Sequence, residues 1–166
     1  MLPASTTFIK NKFFRNMTDF VAKAWHHSSL AVSDLTTGVN FYCAAFGYKI
    51  EFEERDMRTE IEQIAGIPGL SCDLAQLRAP YSDHVLELIA FHKPPAESVN
   101  TIRAPIYPGL AHIAFLVDDL NLAMKKVESL GARRLGTVTH FSEGDSVYYR
   151  EPAGSFIEME QLHLES

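Results

Sequence analysis

Four residues of this 166-residue chain have the types and placement to share a metal ion: His27, Glu87, His112 and Glu158. Two neutral imidazoles and two carboxylates form a mixed nitrogen and oxygen donor set. Such a set suits one divalent first-row ion (Ni, Co, Zn, Mn or Fe) and leaves coordination positions for water or substrate. Its two negative charges balance M²⁺. An ion held this way can polarise a carbonyl, stabilise an enediolate or lower the pKa of bound water. Cu(I) or an iron–sulfur cluster would call for thiolates, and the chain has only Cys43 and Cys72, without CxxC spacing. The expectation for these two is buried thiols in a reducing cytoplasm.

An internal repeat relates the four residues to one another. Segment 27–35 aligns with segment 112–120, so that His27 and His112 lie 85 positions apart, as do Asp34 and Asp119. Each unit reads as a strand, an Asp-capped helix, a glycine stop (Gly47, Gly131) and further strands. Between cap and glycine, Val39, Tyr42, Cys43 and Phe46 in one unit and Leu122, Met124, Val127 and Leu130 in the other return every three or four residues. That spacing predicts one apolar helical face covering a sheet. Strands are expected at 48–53, 72–77 and 84–91, then at 133–135, 147–150 and 155–161, with turns at 80–83 and 151–154 before the last strand of each unit. Within 84–91, alternation puts Glu87 on one face with Val85 and Ile89, away from Leu86 and Leu88. An acid in such a strand ordinarily faces solvent. If the two units pair about a pseudo-twofold axis, however, equivalent positions converge and both His–Glu sets surround one point. His26 is the rival to His27 and points to the opposite sheet face. His84, His92, His140 and His163 have no repeat partner.

The remaining segments divide the chain as follows. Residues 1–22 form an amphipathic arm, with Ile9, Phe13, Phe14, Met17 and Val21 on one face and no uninterrupted apolar core of secretory type. Residues 23–95 make the first module, 96–106 a linker in a proline-bearing stretch, and 107–166 the second module. The first module carries an insertion, 55–70, in which Ile61, Ile64 and Ala65 suggest one or two helical turns able to act as a lid. With 46% hydrophobic residues the chain is too apolar for intrinsic disorder. No run approaches the roughly 20 apolar residues a membrane span needs. The 21 acidic residues outnumber the 15 basic ones, for a formal net charge of -6, which disfavours non-specific nucleic-acid binding.

Segments 27–35 and 41–48, the Glu87-Leu88 strand, and segments 109–120 and 151–158 together resemble the vicinal oxygen chelate superfamily. Its members include glyoxalase I, methylmalonyl-CoA epimerase, extradiol dioxygenases and bleomycin or fosfomycin resistance proteins. The resemblance covers about residues 24–162. It implies an α+β fold of two βαβββ modules pairing into a cupped, mixed-sheet open barrel, and a homodimer acting on a small molecule with vicinal or carbonyl oxygens. Residue by residue, the metal positions of glyoxalase I correspond to His27, Glu87, His112 and Glu158. The leading implied activity is an isomerase or lyase that moves a proton beside a polarised carbonyl through an enediolate or enolate, with Glu87 and Glu158 as acid and base. The sequence after Glu87 departs from glyoxalase I, which leaves glutathione unsupported as co-substrate. Segments 138–140 and 147–154 also resemble extradiol dioxygenases, which would place His140 and Tyr148 behind the ligands of an Fe(II). A third implied reading is a non-catalytic binder of the antibiotic-resistance type.

Overall fold

The computed structural model describes residues 26–93 and 110–163. The predicted arm and linker lie outside them. Two mixed sheets result. The first contains β1 (His27–Ala31), β2 (Lys49–Met57), β3 (Ser71–Arg78) and β4 (Val85–Lys93) in the order β1-β4-β3-β2, with helices α1 (Leu35–Phe46) and α2 (Thr59–Ala65). The second contains β5 (Ile113–Leu116), β6 (Arg133–Arg134), β7 (Thr139–His140), β8 (Gly144–Arg150) and β9 (Phe156–Leu162). Its order is β5-β9-β8-β6, with β7 also on β8 and helix α3 (Leu120–Ser129). In each sheet the first strand runs parallel to the last, and the other pairs are antiparallel. This is the expected α+β architecture, as two separate sheets without a closed barrel among the described residues.

Local chemistry sets the helix ends. Asp34 accepts from the Thr37 N–H at 2.7 Å and Asp119 from the Leu122 N–H at 2.9 Å, so both predicted caps form. Gly47 ends α1 at φ 72°, the left-handed conformation that costs a Cβ-bearing residue most. The expected apolar face of α3 needs one correction. Leu122 is 66% exposed, because it lies about 200° around the helix from Leu120, off the stripe that buries Leu120 and Val127. The face of α1 likewise turns toward Leu35, Val39, Phe41 and Tyr42, which leaves Cys43 only partly buried. Cys72 is buried, and both thiols are free.

One core joins the modules. Leu86, Leu88 and Ala90 of β4, Ala75 and Leu77 of β3, and Ile157 and Met159 of β9 pack with residues of α1 and α3. Each fully buried Leu or Ile contributes about 1.5–3 kcal/mol of burial free energy. The rings of Phe46 and Phe115 stack across the seam with centroids 3.7 Å apart. Ser33 donates its N–H and its hydroxyl to the carbonyl of Ala153, each at 2.9 Å. A Cβ at Gly38 would lie 3.2 Å from Leu88 Cδ1 and 3.4 Å from Ala153 Cβ, so glycine lets α1 approach both modules at once. Because strand side chains alternate, the residues between the core positions of β4 and β9 are carried to the opposite sheet faces. Glu87 and Glu158 are among them.

A candidate metal centre in two halves

The two glutamates occupy equivalent ladder positions. Glu87 lies opposite Ser29 in the β1–β4 pair, two residues after His27, and Glu158 lies opposite Ala114 in the β5–β9 pair, two residues after His112. Alternation then puts each histidine on the same face as its glutamate. His27 Nε2 stands 3.8 Å from Glu87 Oε1, and His112 Nε2 stands 3.0 Å from Glu158 Oε2. In both halves the carboxylate's other oxygen is held from the strand on its far side. Gln76 Nε2 donates to Glu87 Oε2 at 3.1 Å, and Ser146 Oγ makes a short bond to Glu158 Oε1. One oxygen of each glutamate is thus fixed by a neighbour, and the other faces an imidazole.

The donor sets fit a divalent ion as two half-sites. Two cis ligands bound to a first-row ion at about 2.0–2.2 Å lie about 3–3.5 Å apart, a spacing the second pair has and the first exceeds slightly. Both glutamate side chains are largely shielded, at 12% and 18% exposure, which suits ligands better than solvated surface acids. The expected meeting of all four residues does not occur within one chain. Among the described residues no group of three or more His, Cys, Asp or Glu side chains is placed to hold an ion. The shared core gives the physical reason: it takes Leu86, Leu88, Ile157 and Met159, and alternation carries Glu87 and Glu158 to the sheet faces away from it. His112 Nδ1 is buried without a hydrogen-bond partner among the described residues. A ligating imidazole ordinarily hands that nitrogen's proton to an acceptor, so the second half lacks part of its support.

The other candidate residues separate. Tyr148 lies opposite Glu158 on β8, with its ring 4.8 Å from that of His112, so it walls the second half-site. Burial, and then the Glu158 charge, raise its phenol pKa and favour the neutral form. His140 is 76% exposed and bonds Asp145 at 2.7 Å, making no contact with that wall. His26 bonds His27 through the two Nδ1 atoms at 2.8 Å and is itself exposed; it supports the ring of His27 while Nε2 faces Glu87. The insertion begins later than expected, since β2 runs on to Met57. Its helix α2 sets Ile61 against Cys72, Leu74 and Ile89. Leu74 and Ile89 share the sheet face of Glu87, which gives the first half an apolar flank. Sequence reading missed Gln76 and Ser146. The available signal was a polar residue between Ala75 and Leu77 in an otherwise apolar strand, in register with Glu87.

Two β-strand modules of the same strand order, each with a His–Glu pair at equivalent ladder positions, mark the chain as a duplicated α+β fold. The chain belongs to the Glyoxalase/Bleomycin resistance protein/Dioxygenase superfamily, whose family model matches residues 24–159. It is 24% identical over 139 residues to the uncharacterized protein YaeR of Escherichia coli, covering 82% of this chain and 95% of that one. A glyoxalase family protein from Bacillus cereus has the same fold at 19% identity and a TM-score of 0.76, over 89% of this chain and 99% of its own. The fosfomycin resistance protein FosX from Listeria monocytogenes, in a complex with Mn(II) and a sulfate ion, matches at 14% identity and a TM-score of 0.58. That match covers 86% of this chain and 95% of FosX. No described helix is long and apolar enough to cross a membrane.

Proposed function

We propose that the protein is a metal-dependent isomerase or lyase of the glyoxalase I or methylmalonyl-CoA epimerase type. His27, Glu87, His112 and Glu158 would together hold one divalent ion, drawn from Ni, Co, Zn, Mn or Fe. The observation that carries this reading is the repeated arrangement of the two carboxylates, each tied through one oxygen and open to an imidazole nitrogen through the other. When bound, the ion supplies Lewis acidity that weakens the C–H bond beside a substrate carbonyl. The chain's own groups supply the rest. Glu87 and Glu158 are the proton carriers, and the apolar flank of Leu74 and Ile89 limits water around Glu87. Tyr148 packs the ring of His112 and stays protonated beside Glu158.

Because the two pairs stay apart within one chain, the complete centre falls between two copies. The first-module pair of one protomer meets the second-module pair of its partner in a homodimer. Ile50 and Phe52 of β2, both large and exposed, are consistent with a face awaiting a partner. The substrate would be a small molecule with vicinal or carbonyl oxygens.

Mixed dimers test this directly. His27→Ala and His112→Ala proteins should each lose the metal. Unfolded and refolded together, they should form heterodimers with one intact centre, and elemental analysis should recover about one ion per heterodimer. If each chain built its own site, the mixture would stay metal-free. Protein purified without chelating resin should also exchange the substrate's α-proton with solvent deuterium, an exchange lost in Glu87→Gln or Glu158→Gln.

The proximity of Tyr148 to His112 favours a second reading, an Fe(II) ring-cleaving dioxygenase, although His140 stands outside the pair. Bound Ni, Co, Zn or Mn without catechol cleavage would remove that reading. Failure to bind any divalent ion at micromolar concentration would favour a non-catalytic small-molecule binder instead.

A further inference from the structure

Away from both half-sites, a cavity of about 410 Å³ opens at the seam between the modules, lined by Ser33, Gly131, Arg133, Arg150, Glu151 and neighbours. Arg133 and Arg150 are direct partners in the β6–β8 ladder, so their guanidinium-bearing side chains start from the same sheet face. Like charges directly opposite on paired strands repel and cost stability. The described arginines of the first module behave differently. Arg55, Arg58 and Arg78 each lie within 3.1 Å of a carboxylate, whereas neither Arg133 nor Arg150 has a carboxylate within ion-pair distance among the described residues. The nearby acid is already engaged. Glu151 is 2% exposed, and its two oxygens accept the N–H groups of Ala153 and Ser155 inside the β8–β9 turn. Arg150 directs Nε to the Gly154 carbonyl at 3.3 Å, which orients the fork and leaves its terminal nitrogens available. Gly154 adopts φ 110°, which side-chain-bearing residues rarely take, and any Cβ there would stand 3.8 Å from Arg150 Nη2.

We infer that this seam cavity is an anion site in which Arg133 and Arg150 hold the phosphate-like group of a small molecule. Two planar forks match a tetrahedral oxyanion through paired hydrogen bonds, and an anion placed between them converts their repulsion into attraction. The volume lies within the range of small-molecule sites, about 300–1,000 Å³, and leaves room for more than the anion. Since Ser33 enters from the first module and both arginines from the second, a bound anion would also strengthen the seam. The site does not depend on the metal centre.

The test uses inorganic phosphate on the full-length protein, treated with EDTA to strip metal, at ionic strength held constant with chloride. Phosphate in the millimolar range should raise Tm saturably, as expected for a ligand that binds only the folded state. Arg133→Gln should weaken the phosphate response about 10-fold or more by removing one charged fork. Glu87→Gln should keep the full response. Arg150→Gln also loses a bond to the turn, so Arg133→Gln, on an exposed two-residue strand, is the deciding variant. Equal phosphate responses in wild type and Arg133→Gln, or equal effects of phosphate and chloride, would overturn the assignment.

Discussion

The two half-sites begin from the same ladder geometry and finish it differently. At the position facing the glutamate from the antiparallel strand, the first module has Gln76 and the second has Tyr148. Gln76 reaches its glutamate directly. Tyr148 instead packs against His112, and the task of holding Glu158 passes to Ser146, two residues away on the same face. The second pair is accordingly tighter, 3.0 Å against 3.8 Å, while the first has the apolar flank built by α2. The two modules thus agree in where the His–Glu pairs stand. The residues that orient them diverged, and these differences are where the two carboxylates could acquire separate roles.

Removing a ligand should produce the largest effect and test whether the halves are equivalent. His112→Ala and His27→Ala should each weaken divalent-ion affinity by more than about 100-fold, beyond the usual cost of losing an outer supporting group. Chelator competition on the folded variants measures it. If only His112→Ala lowers affinity, the second half binds the ion alone and the symmetry is historical. Orienting residues should matter less. Ser146→Ala and Gln76→Ala should each cost about 10-fold in affinity. Equal, negligible losses would mean that neither carboxylate depends on its neighbour.

Most of this arrangement was legible in the sequence because it rests on short-range rules. Strand alternation located Glu87 and Glu158 opposite the core, and the capping chemistry of Asp34, Asp119 and Gly47 fixed the helix ends within a residue or two. What escaped was set by tertiary contact. β7 is a two-residue pairing whose apolar content is too small to give a period. Leu122 fits a helical stripe in sequence, yet the face that packs is the one set by Leu120 and Val127. Near the end of β2 the Asp56 N–H is taken at 2.8 Å by Asp73, which comes 17 positions after it. The separation of the His–Glu pairs within one chain escaped for a related reason. A repeat specifies which positions are equivalent, whereas the packing of Phe46 on Phe115 and of Ser33 on Ala153 decides which faces meet.

Stability comparisons between the modules should give smaller effects. Asp119→Ala removes the N-cap of α3 and should cost about 1 kcal/mol in urea unfolding. Asp34→Ala should shift the midpoint in the same direction. A loss confined to one variant would show that one helix is held by packing and not by its cap. Because a single core serves both modules, each variant should still unfold in one transition.

The smallest expected effect concerns the irregular end of β2, which the second module lacks. Asp56 sits there at φ 53°, the only non-glycine residue with positive φ among those described. Its N–H is received by Asp73, whose carboxylate also meets Arg55 at 3.1 Å and His92 at 3.2 Å. The Asp56 N–H, followed by His92 and Arg55, holds the Asp73 carboxyl below the usual aspartate range despite some desolvation. Its folded pKa therefore lies below its unfolded one. The stabilisation is fully present above the unfolded pKa of about 3.9 and disappears as pH falls through the folded value. Asp73→Asn should flatten the acid limb of the stability–pH profile below about pH 5. An unaltered acid limb would mean that the strain at Asp56 is held by the β2–β3 ladder alone. The comparison with the second module would then reduce to strand length.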